Sequence, residues 1–108
     1  MIVVTTEEVT GSRIVTMHGQ VYGVVVRSRG IAGNILAGLR TIFGGEIHEY
    51  TSMVEDTRRQ AIDRMSKNAA LMGANAVVRM MFDSSEIGQS MSEVVAYGTA
   101  VTIEPAQS

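Results

Sequence analysis

Chemistry in this chain would begin at Glu46-Ile47-His48-Glu49, where two carboxylates and an imidazole fall within four consecutive residues. Carboxylate oxygen and imidazole nitrogen are acceptable ligands for zinc or manganese, so Glu46, His48 and Glu49 form the candidate site for a divalent metal ion. His18 and Asp83 are the side chains that could complete the set. The spacing matches no recognised signature, since paired cysteines and His-x-x-x-His are absent, and a solvated loop between two helices is the plainer account. A ring of subunits could gather one copy per chain and needs no local motif.

Other reactive types are thinly spread. With no cysteine there is neither a disulfide frame nor a thiolate. His18 has no Ser, Cys or Asp partner at a diagnostic spacing, so it reads as a strand residue before a catalytic base. Met65, Met72, Met80 and Met81 are soft ligands in principle, but they fall at core positions of a helix and a strand, where packing explains them better. Gly30-Ile31-Ala32-Gly33 precedes a helical stretch and so offers free N–H groups. No Lys-Ser or Lys-Thr fingerprint follows, which argues against a nucleotide.

The elements that must carry these residues follow from periodicity. The stretch Tyr50–Gly73 is the longest amphipathic pattern, with Ser52-Met53-Val54-Glu55 in the form of a capping box and Gly73 as the residue after the helix. Val54, Ala61, Met65 and Met72 make its apolar stripe, flanked by Ile62 and Ala69, while Asp56, Arg59, Asp63 and Lys67 face away. Arg58 breaks this pattern by projecting on the apolar side. Its stem could cover apolar surface with the head in water, or the guanidinium could meet a carboxylate or carbonyl, within or between subunits. A first helix is expected over Ile31–Phe43, closed by Gly44 and Gly45.

Strands are expected over Ile2–Thr6, Ile14–Val26, Ala76–Phe82 and Met91–Ile103, the last two joined by the polar turn Asp83–Ser90. Gly19 and Gly23 interrupt the second, which implies one long bent strand or two meeting near Gly19. Val94, Ala96, Gly98 and Ala100 leave one face of the last strand open to close approach.

Composition sets the outer limits. A chain of 108 residues with 45% hydrophobic and 19% charged residues is a single globular domain over 1–108. A net charge of −2 supplies no basic field, so nucleic acid and anionic membranes are not expected partners. No apolar run reaches the roughly 20 residues of a bilayer span, and Met1–Glu8 lacks the form of a signal peptide. A cytoplasmic protein is the expectation. Aromatic residues make up only 5%, so the core has few large anchors and burial between subunits should supplement it.

Four stretches carry a family resemblance: Gly19-Gln20-Val21-Tyr22-Gly23, Ala37-Gly38-Leu39-Arg40-Thr41-Ile42-Phe43-Gly44-Gly45, Leu71-Met72-Gly73-Ala74-Asn75-Ala76-Val77-Val78 and Gly98-Thr99-Ala100-Val101. In order and spacing they resemble the YbjQ family, small bacterial and archaeal proteins described as heavy-metal-binding. The resemblance covers nearly the whole chain. It implies a compact α+β subunit of a closed homo-oligomer, a pentameric ring, and it implies no established reaction. An arginine falls at the position of Arg58 in the family pattern too. The chain departs from that pattern at Glu46, where arginine is common, at Asn34 and Thr41, where acidic residues are common, and at Arg79, where glycine is usual.

The fold expected is therefore α+β, a sheet of four or five strands with two helices, closed by a subunit interface. The leading function is a homo-oligomeric binding or scaffold protein, with Arg58, Gly44 and Gly45 serving structure or assembly. Metal-ion binding is the alternative, and an enzyme ranks last because no nucleophile is paired with a base.

Overall fold

The structure, a computed structural model, describes residues 1–28, 48–88 and 91–107. Their architecture is α+β. β1 (Ile2–Val3), β2 (Ser12–Ser28), α1 (His48–Leu71), β3 (Ala76–Ile87) and β4 (Met91–Pro105) follow in order, and the strands form one four-stranded sheet in the order β1-β3-β4-β2. β3 and β2 both pair antiparallel to β4, while β1 runs parallel to β3. The helix expected over Ile31–Phe43, with Gly44 and Gly45 after it, lies outside the described residues.

Helix α1 begins earlier than the capping-box reading places it. His48 is already helical, so Ser52 sits inside the first turns, exposed, and Ser52 and Glu55 are an i, i+3 pair on a solvated face. Local S-x-x-E spacing occurs inside helices as readily as at their starts. The far end is as expected. Gly73, at φ 92°, donates to the Ala70 carbonyl and Ala74 donates to that of Ala69, the paired bonds of a Schellman cap.

The buried face of α1 is also rotated from the expected stripe. Thr57, Ala61, Met65 and Ala69 are buried, whereas Val54 and Met72 at the stripe's ends are both 37% exposed. The buried residues step by four. Rows of that kind are inclined by about 25° to the helix axis, so a helix contacting a surface along one row leaves the ends of a 3.6-residue stripe free. The polar Thr57 satisfies its hydroxyl by donating to the Met53 carbonyl at 2.8 Å.

β2 is a single strand whose register to β4 shifts between Ile14 and Thr16 and again between Met17 and Gly19, which is the bent-strand alternative. β3 continues through Ile87, five residues past the expected end at Phe82. Pairing of Ser85 with Glu93 and of Ile87 with Met91 keeps the backbone in the ladder. The polarity of 83–86 therefore marks exposure and not a turn. β1 is shorter than expected, but the chain still follows β3, with Val4 N–H bonded to the Val77 carbonyl and Arg79 N–H to that of Thr6.

Two clusters hold the sheet. On the helix side Val21, Val25, Val77, Ala96 and Ala100 meet Ala61, Met65 and Ala69. On the opposite side a smaller group, Ala76, Val78, Val101 and Ile103, is covered by Val4 and Val9. Among the described residues the sheet is longer than the helix packed on it, because a 17-residue strand extends about 56 Å whereas a 24-residue helix spans about 36 Å. The radius of gyration is 17.4 Å. A compact chain of this length is expected near 13 Å.

Candidate functional site

The sheet face opposite α1 carries a shallow concavity of about 420 Å³, and a backbone irregularity shapes it. Between Val78, which faces Thr99, and Met81, which faces Tyr97, β3 holds two residues, Arg79 and Met80, opposite the single residue Gly98. This is a β-bulge. Arg79 takes the left-handed conformation at φ 53°. Gly98 is obligatory, since a Cβ there would meet the Val77 side chain at 2.7 Å and the Val78 carbonyl oxygen at 2.8 Å.

Side chains from three strands line the concavity: Gln20 and Tyr22 from β2, Val95, Tyr97 and Thr99 from β4, and Arg79 and Asp83 from β3. Tyr22 and Tyr97 are directly paired across β2 and β4, so they lie side by side on one face. The Tyr22 hydroxyl donates to Gln20 Oε1 at 2.7 Å, leaving the Gln20 amide N–H groups available. Among the described residues the Tyr97 hydroxyl has only the weak acceptor Met81 Sδ at 3.8 Å. Arg79 pairs with Glu7 at 3.0 Å, with both side chains more than two-thirds exposed. Such a pair is weak and exchangeable. The concavity can therefore offer a cation at one end, a carboxylate at the other and two phenol rings between.

A family model described as "Putative heavy-metal-binding", YbjQ_1, matches residues 1–104. The chain belongs to the YbjQ family. A UPF0145 protein of Bradyrhizobium sp. strain ORS 278 is 69% identical over 107 residues, spanning 99% of this chain and 96% of that protein. One from Thermoplasma acidophilum is 54% identical over 104 residues, spanning 96% and 87%. A crystal structure of a DUF74-family protein of unknown function from Pediococcus pentosaceus has the same fold, with a TM-score of 0.68 over 96% of this chain and 98% of that one at 14% identity. These relatives' names assign no reaction.

The YbjQ description directs attention to the metal candidates. His48 and Glu49 stand in the first turn of α1 and not in a loop. Their side chains, and Glu46 altogether, lie outside the described residues, as do Gly44 and Gly45. Among the described residues there is no group of three or more His, Asp or Glu that could hold a metal ion. His18 and Asp83 are not brought together. His18 lies beside Val101 and Ala100 of β4 while Asp83 faces Val95, five or more residues along the same strand, which is roughly 17 Å. His18 Nε2 is 2.7 Å from Thr102 Oγ1, and that hydroxyl donates to the Gly73 carbonyl. Because a hydroxyl has one proton, Thr102 accepts from His18, and Nε2 carries the hydrogen. The histidine thus fastens β2 to the end of α1.

Met65 is fully buried and Met80 packs at the core's edge, but Met81 is 58% exposed on the open face. Its strand alternates sides, and the bulge two residues earlier shifts which side it takes. Arg58 lies with its guanidinium 5.1 Å from the centroid of the Phe82 ring, a cation–π contact that ties α1 to β3. Sequence reading missed Arg79, Tyr22, Tyr97 and Gln20 as site residues. One signal was present: an arginine where the family usually has glycine marks a backbone position with a special conformation.

Proposed function

We propose that this YbjQ-family chain is the subunit of a closed homo-oligomeric binding or scaffold protein, a pentameric ring by resemblance, whose assembly covers the hairpin end of the sheet. The observation that carries this reading is the exposure of Val24 at 40%, Val26 at 50%, Ile87 at 39% and Met91 at 39% toward the hairpin end of the sheet. Exposed apolar side chains grouped at one end of a sheet, here around Glu93 and Ser85, favour an interaction site. Among the described residues the sheet is longer than its helix, and a further copy of the same chain would cover the remainder with no additional partner. Native mass spectrometry tests the reading. A single assembled species is expected for the native chain, and its dissociation is expected for Val24→Glu combined with Val26→Glu. A native chain that stays monomeric at micromolar concentration overturns it.

The family description favours a second reading, a metal ion held by Glu46, His48 and Glu49 in or between subunits. His48 and Glu49 at the start of α1, with Glu46 two residues before, would recur once per subunit around a ring. Elemental analysis and zinc or manganese titration of the native chain and its three alanine variants test this. Uptake that the variants leave unchanged removes these residues from the reading.

A further inference from the structure

We propose that the concavity between Arg79 and Asp83 binds a small extended dipolar ligand, with a carboxylate held by Arg79 and an amine held by Asp83 across the rings of Tyr22 and Tyr97. Arg79 adopts a backbone conformation that glycine takes freely and arginine does not. Strained residues of this kind cluster where side chains clamp ligands. Here the bulge sets the arginine at the rim of the concavity, and a carboxylate, that of Glu7, already occupies the guanidinium at 3.0 Å. Since both partners are largely in water, a ligand carboxylate can replace Glu7 at small cost.

Asp83 has no hydrogen bond or ion pair among the described residues, and it lines the same concavity. Across the bulge, Arg79 lies opposite Gly98 and Asp83 faces Val95, three residues along β4, about 10 Å of strand. The two opposite charges are thus spaced for an extended molecule such as an ω-amino acid and not for a compact α-amino acid. Between them the paired tyrosines offer ring surface to an aliphatic chain and attract an ammonium group.

The test is an NMR titration of the full chain with 6-aminohexanoate, with hexanoate and hexylamine as single-charge controls. Saturable shifts at Tyr22 and Tyr97 are expected, with affinity for the dipolar compound roughly tenfold above either control. Arg79→Gly, which relieves the backbone and so keeps the fold, should reduce 6-aminohexanoate to the level of hexylamine. Asp83→Asn should reduce it to that of hexanoate, and Glu7→Gln should raise it by removing the internal competitor. Equal affinity for the three compounds, shifts away from the concavity, or unchanged binding by Arg79→Gly overturns the proposal. The oligomer is read separately by mass. A monomer that binds ends the ring reading alone, and an assembly that does not bind ends this one alone.

Discussion

Gly23 lies directly against the backbone of Met65: a Cβ on Gly23 would stand 2.3 Å from the Met65 amide nitrogen and 2.1 Å from the Ala61 carbonyl oxygen. Neither atom belongs to a side chain that can swing aside. The close approach suits a buried core of alanine, valine and one methionine, with Phe82 packed at its edge.

Gly23→Ala is therefore expected to push α1 off the sheet and destabilise the fold by about 3 kcal/mol or more. Denaturant unfolding of the variant measures it. Stability within error of the native chain would show that helix and strand are not in contact there.

The bulge predicts opposite signs at facing positions. Arg79→Gly removes a left-handed arginine and should raise stability by about 1 kcal/mol. Gly98→Ala must displace the Val78 carbonyl and Val77 side chain, and should lower it by about 2 kcal/mol. Thermal melts of the pair test the bulge itself, since a regular ladder would give neither effect.

Asn75 acts as an extra rung of the sheet. Its amide nitrogen donates to the Ile103 carbonyl at 2.9 Å and its oxygen accepts from the Ile103 N–H at 2.8 Å. Asn75→Ala strands both backbone groups of a residue only 8% exposed, at a cost of about 2 kcal/mol. Hydrogen exchange at the Ile103 amide should accelerate in proportion.

Helix α1 also closes the free edge of β2. Arg64 donates to the Val24 carbonyl and Asn68 to the Tyr22 carbonyl, each at 2.7 Å. Four residues of helix rise about 6 Å and two residues of strand about 6.8 Å, so i, i+4 donors match i, i+2 acceptors. Replacing both by alanine should leave an edge open to strand addition. Aggregation on concentration, followed by light scattering, is the expected outcome, and unchanged solubility would argue that the edge needs no guard.

Much of the frame was legible because it depends on local pattern. The α+β class, the long helix and its Gly73 cap, the bent second strand and the small-residue face of the last strand all follow from side-chain period and backbone freedom. The helix start failed because Ser52 and Glu55 satisfy a cap motif whether or not the backbone is already helical. The hairpin turn failed because Ser84, Ser85 and Glu86 look alike in a loop and on the solvated side of a ladder.

What the sequence determined by itself is thus the α+β class, the long helix with its Gly73 end, the four strands and the family. Only the tertiary structure decided which row of α1 is buried, that Arg58 meets the Phe82 ring and that Arg79, Tyr22, Tyr97 and Asp83 share one concavity. These residues lie up to 75 positions apart between Tyr22 and Tyr97, and nothing in local propensity couples them. Their meeting depends on strand register, which a single extra residue at the Arg79–Met80 bulge resets. Register is a property of paired backbones, and one strand read alone does not contain it.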